Sequence, residues 1–144
     1  MRNVFLALAT VFLIFTVSPA FCESTEKLKE IGMFADEYVG KTFTFDVLIT
    51  INSLYFKDLE DGTYGLSLCD EKHDSLTVAH TIYALDSTKL LTTINREQAK
   101  VLIRTLEKDY LAKRRVTFKI TKDNYKGHPY YVGKITSIKQ MNKD

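Results

Sequence analysis

The sequence predicts a mostly-β domain: five strands closed into a small barrel, a short helix ahead of them and a longer one between the third strand and the fourth. Three observations carry that expectation. From Thr42 to Ile51, Phe43, Phe45, Val47, Ile49 and Ile51 recur at every second position, with Thr42, Thr44, Asp46 and Thr50 between them. A period of two is what a strand with one buried face requires, because successive side chains leave opposite sides of the sheet. Shorter alternations follow at 63–69, 76–85, 116–121 and 130–139. Between the third and fourth of these strands, Ala99, Leu102, Ile103, Leu106 and Tyr110 repeat at three and four, the spacing of a helical stripe.

The N-terminus has the parts of a secretory signal peptide. Arg2 precedes an apolar run from Val4 to Val17, and Ser18-Pro19-Ala20-Phe21-Cys22 follows. At about 14 residues the run is shorter than the ~20 that a membrane-spanning helix needs. Ser18 and Ala20 satisfy the small-residue rule and Pro19 ends any helix, so cleavage is expected after Ala20, with a cut after Cys22 as the alternative. An uncleaved anchor and acylation of Cys22 are the rival readings. Phe21 stands against the second, where lipoprotein signals carry a small residue.

The domain is then residues 21–144, secreted or periplasmic, and of ordinary single-domain size. Lys and Arg number 20 against 18 Asp and Glu, and losing Arg2 with the leader leaves 19 against 18. So neutral a chain presents no strong field for nucleic acid or acidic membrane. Cys22 and Cys69 can pair in an oxidising compartment only if cleavage leaves Cys22 on the chain.

In order, residues 23–39 predict the first helix, capped by Ser24 or Thr25, with Leu28, Ile31, Phe34 or Ala35, and Tyr38 as its stripe and Gly32 weakening its middle. Gly40 then turns the chain into the long first strand. Residues 52–61 form a long connection ending in Glu60-Asp61-Gly62, and 63–69 form the second strand. A charged turn at 70–75 leads to a third strand over 76–85, with Leu76, Val78, His80, Ile82 and Ala84 on one face. A Ser/Thr-rich connection over 86–94 reaches Asn95, the N-cap of a helix from about Arg96 to Lys113. Lys113, Arg114 and Arg115 would favour that helix's negative C-terminal end. A fourth strand at 116–121, a second long loop at 122–129 and a fifth strand at 130–139, bent or bulged at Gly133, complete the chain.

This β-β-β-α-β-β order with a long first strand is that of an OB-fold barrel. YVGKTFTFDVLI resembles the opening of small bacterial OB-fold domains of the tRNA-anticodon-binding-like group, many of them exported, and YYVGKITSIK is similar to their closing strand. The resemblance implies the fold; the fold hosts unrelated activities. LEKDYLAKRRVTFKI followed by NYKGHPYYVGKITSI also resembles, loosely, the glycan-binding B subunits of AB5-type toxins, which implies an oligomer.

The sequence offers no catalytic constellation. Cys69, Asp70, Glu71, His73, Asp74 and His80 are rich in donors but lack the paired spacing of a zinc site, so no metal or cofactor is expected. Asp46, Asp58, Glu60, Asp61 and Asp70 invite comparison with OB-fold nucleases of the staphylococcal type. The arginines of the domain, Arg96, Arg104, Arg114 and Arg115, fall on or beside the predicted helix and not on a strand facing those carboxylates. Ligand binding is expected instead on the two long loops, where Tyr55, Phe56 and Lys57 accompany Tyr125, Lys126, His128 and Tyr130. Aromatic planes beside lysines suit stacking on sugars or bases. Export and near-neutral charge favour a glycan, an envelope polymer or a partner protein over nucleic acid.

Overall fold

The computed structural model describes residues 22–50, 54–55, 62–106 and 111–141, with Tyr55 and Leu111 as backbone only. The leader expected at residues 1–20 lies outside the described residues. No described helix is long and apolar enough to cross a membrane.

Chain order is α1 (Thr25–Met33), a 3-10 turn (Ala35–Tyr38), β1 (Thr42–Thr50), β2 (Leu54–Tyr55), β3 (Tyr64–Leu66), α2 (Thr81–Asp86), β4 (Leu91–Ile94), α3 (Arg96–Leu106), β5 (Leu111–Tyr125) and β6 (His128–Gln140). Ser24 caps α1 by accepting from the Lys27 N–H. The expected single helix over 23–39 ends at Phe34, whose N–H bonds Glu30 O, and the chain tightens into the 3-10 turn. Asn95 Oδ1 accepts from the Gln98 N–H and Gln98 Oε1 from the Asn95 N–H, a reciprocal capping box that starts α3.

The six strands form one sheet in the order β1-β5-β6-β4-β3-β2. All neighbours are antiparallel except β4 and β6, which run parallel with Leu91 opposite Val132 and Thr93 opposite Lys134. As ladders they make an open series with β1 and β2 at its ends, rather than a closed ring.

Alternation along β1 and β5 places the core. Phe45, Val47 and Ile49 face Val116, Arg114 and Ala112, and Phe118 and Ile120 continue the inward row. Phe45 and Phe118 stack with ring centroids 5.5 Å apart. Leu28 and Ile31 of α1, and Ala99, Leu102 and Leu106 of α3, join the same cluster. On the outer face Asp46 lies opposite Arg115, and the Thr44 and Thr117 hydroxyls meet at 2.8 Å.

The segment expected as a third strand over 76–85 is not one. Leu76 and Thr77 are adjacent and both buried, and their N–H groups both reach Leu68 O. Val78 makes one parallel bridge to Leu91, and His80 then caps α2 by accepting from the Ile82 N–H at 3.2 Å. The strand that pairs with β6 lies in the supposed connection, at Leu91–Ile94, and every one of its residues is buried. A strand covered on both faces loses the polar alternation by which a sequence announces it. Where β3 and β4 approach the 76–79 segment, hydroxyls replace ladder bonds. The Leu68 N–H donates to Thr77 Oγ1, Thr77 and Thr92 share a bond at 2.7 Å, and Thr92 Oγ1 donates to Leu66 O.

Two further expectations change. The helix expected to reach Lys113 is described only to Leu106, and from Leu111 the chain is already β5, so Lys113, Arg114 and Arg115 are strand residues. The long loop expected over 122–129 is absent. β5 and β6 stay paired as far as Tyr125 and His128, joined by the two residues Lys126 and Gly127. Both have positive φ, 49° and 84°, the signature of a tight hairpin turn whose twist matches the strands. The bulge is not at Gly133 either. The register shifts between Thr117 and Phe118, whose partners are Ser137 and Ile135, leaving Thr136 as the extra residue. Gly133 instead permits close packing, since a Cβ there would meet Leu90, Phe118 and Thr92 side chains at 2.9–3.0 Å.

Candidate functional site

The hairpin tip gathers four of the seven expected ligand residues. Tyr125 is directly opposite His128, and Asp123 opposite Tyr130. By the alternation of strand side chains, Tyr125, His128 and Tyr130 therefore share one face. The turn between them is held by Asn124 Oδ1, which accepts from the Gly127 N–H at 2.8 Å. Lys126 Nζ lies 5.2 Å from the Tyr125 ring centroid, so one face of that ring already carries a cation. His128 is exposed, and Tyr125 and Tyr130 are half-buried.

Tyr130 and Tyr131 border a cleft of about 230 Å³ whose other walls include Met33 and Asp36 near the end of α1, and Leu85 and Lys89 beside α2. Met33 is 59% exposed, and α2 also exposes Ile82 and Tyr83. These walls escaped the sequence reading because 76–85 looked like a strand. The signal was there in part: Ala84, Leu85 and Asp86 suit a short helix ended by Ser87 as well as a strand.

Of the remaining expected residues, Tyr55 is described by its backbone, which is not brought to the tip. Tyr55 pairs with Gly65, Gly65 with Thr93, and Thr93 with Lys134. Lys134 is six residues along β6 from His128, which amounts to about 20 Å of strand. Phe56 and Lys57 lie outside the described residues.

The donor-rich segment has structural work. Asp70 Oδ1 accepts from the N–H groups of Lys72 and Asp74, both at 2.9 Å, and turns the chain at His73, whose φ is 68°. Glu71 pairs with Lys113 at 3.1 Å. Among the described residues no group of three or more His, Cys, Asp or Glu is placed to hold a metal.

Asp46 corrects the expectation that no arginine faces a carboxylate from a strand. Arg115 Nε and Nη2 donate to its two oxygens at 2.8 and 2.9 Å. That bidentate fork, with a lesser contribution from Cys22, holds the Asp46 carboxyl below the usual carboxylate range and raises Arg115 further. Burial, and then the Asp46 charge, push the neighbouring Cys22 thiol up. Cys22 and Cys69 are not joined by a disulfide. With both Asp46 oxygens engaged, the pair resembles a cross-strand clasp more than a reactive centre. Compared with known proteins, the chain matches no family model, no curated protein and no solved structure.

Proposed function

We propose that this protein is an exported, non-catalytic binding module of OB type, and that its ligand is a glycan, an envelope polymer or a partner protein. The observation that carries the reading is the tip of the β5–β6 hairpin, where Tyr125, His128 and Tyr130 share a face beside a largely polar cleft that Asp36, Ser87 and Lys89 help to line. Rings held on a stiff hairpin lose little freedom when a sugar or side chain stacks on them. Tyr hydroxyls and the His128 imidazole can then orient the ligand by hydrogen bonds.

The barrel part of the proposal draws on two features. Leu48 exchanges both backbone hydrogen bonds with Cys69, at 2.9 and 3.0 Å, on the edge of β1 away from β5. β2 resumes only a few residues after β1 and pairs with β3. Cys69 lies three residues beyond β3, which pairs with β2, so the Leu48–Cys69 bonds draw the β1 end of the strand series toward its β2–β3 end, and the parallel β4–β6 pair fits the same OB order.

Chemical-shift mapping of the isotope-labelled protein against chitin and peptidoglycan fragments, and against a short oligonucleotide, tests the reading. Shifts confined to Tyr125, His128, Tyr130 and the α2 wall are expected with a glycan or polymer fragment. Oligonucleotide shifts that weaken steeply with salt would replace it with a nucleic-acid reading. Hydrolysis of any of these probes would overturn the non-catalytic part.

A further inference from the structure

Arg114 stands where a core residue should. In the β1–β5 ladder it lies opposite Val47, between Ala112 and Val116, whose own partners Ile49 and Phe45 are fully buried. It is only 5% exposed. Taking a guanidinium out of water is costly unless an anion or several acceptors replace the lost hydration. Among the described residues its hydrogen bond is to the carbonyl of the adjacent Lys113, from Nη1 at 3.1 Å, and none of their carboxylates forms an ion pair with it. No sealed side-chain nitrogen among the described residues lacks a partner, and Arg114 lines the space beside it.

That space is a groove of about 440 Å³ between α3 and the far end of the β5–β6 pair, mostly apolar, with Val101, Leu102, Thr105 and Ile138 beside Arg114. Val101 is 60% exposed at the mouth of this groove. At the rim Glu97 is held by Lys100 at 2.9 Å, and Gln98 donates to Ile135 O. Neither neutralises Arg114.

We propose that this groove binds a carboxylate-headed amphiphile of medium chain length, its carboxylate on the Arg114 guanidinium and its hydrocarbon along Val101, Leu102 and Ile138. A planar fork of N–H donors matches a carboxylate in two parallel hydrogen bonds. One guanidinium balances one monoanion, whereas a phosphate dianion would leave excess negative charge near Glu97. The volume is within the range of about 300–1,000 Å³ usual for small-ligand sites. The site is separate from the hairpin tip, so it stands or falls independently of the binding reading given there.

The test is calorimetric titration of the purified protein with decanoate, decan-1-ol and decyl phosphate below their aggregation thresholds, with methyl shifts of Val101 and Ile138 followed in parallel. Decanoate is expected to bind and to shift both residues, and decan-1-ol to bind about tenfold or more weakly for want of the charged head. Arg114→Met is expected to lose about the same factor, its thermal melt showing that it remains folded. Val101→Glu leaves Arg114 in place on an exposed rim and is expected to abolish binding, so the proposal does not depend on one variant folding. No binding of decanoate, equal binding of decan-1-ol, or tighter binding of decyl phosphate would each overturn it.

Discussion

Asp46 and Arg115 make a clasp whose strength follows the protonation of one carboxyl. The guanidinium holds the folded-state pKa of Asp46 below its ordinary value. Its stabilisation is therefore complete above the unfolded aspartate range, about 3.9, and is lost as pH falls through the lower folded value. Asp46→Asn is expected to be less stable than the natural protein at neutral pH, and the gap should close in acid. Denaturant midpoints for both proteins at neutral pH and near pH ~3 check this. A gap that widened in acid would mean that another group, not Asp46, sets the dependence. Lys27, Glu30 and Tyr38 form a comparable cluster at the surface, where Glu30 accepts from both the Lys27 ammonium and the Tyr38 hydroxyl. The bonds from Tyr38 and then Lys27 lower Glu30, and the bonds that Lys27 makes to Tyr38 and then to Glu30 raise Lys27. The cluster ties α1 to the 3-10 turn.

Between elements, the tightest constraint is the crossing of β3 by the 76–79 segment. A Cβ at Gly65 would lie 1.7 Å from Ala79 O, and Ala79 C and Cα are also within 3 Å. Backbone cannot swing aside as a side chain can, so Gly65→Ala should cost at least the upper end of the usual 1–3 kcal/mol for overpacking, about 3 kcal/mol or more. A denaturant melt of that variant reads the cost directly. Sequence pattern made the one-sided elements legible: β1 alternates because one of its faces is core, and α3 shows its stripe because its other face is largely wet. It was mute for β4, where LTTI is covered all round, and misleading for 76–85, where an alternating pattern belongs to an irregular strap and a short helix. A connection between the last two strands was legible, but as a long loop and not as a two-residue turn, because Lys126 gives no sign in sequence of adopting positive φ. The tyrosines of the hairpin could be picked out from their neighbours. Arg114 could not, since next to Lys113 and Arg115 it read as the charged end of a helix.

At the scale of the molecule, the chain's first strand is completed by its last hairpin. β1 rests on β5, with Asp46 and Arg115 separated by 69 positions, and β5 in turn rests on β6. A fragment ending at Leu106 would keep α1, β1, β3 and α3 but leave Phe45, Val47 and Ile49 without the row that covers them. It is expected to show no cooperative thermal transition by circular dichroism, while the full chain melts in one step. An independent transition in the fragment would locate the folding unit in the N-terminal half. The same long span means that β1 leaves the ribosome well before its partner does. Pairings so distant in sequence form late, because the loop they close must first be searched. A chain built this way stays unlatched until β5 and β6 arrive, and until then it remains threadable through a narrow pore.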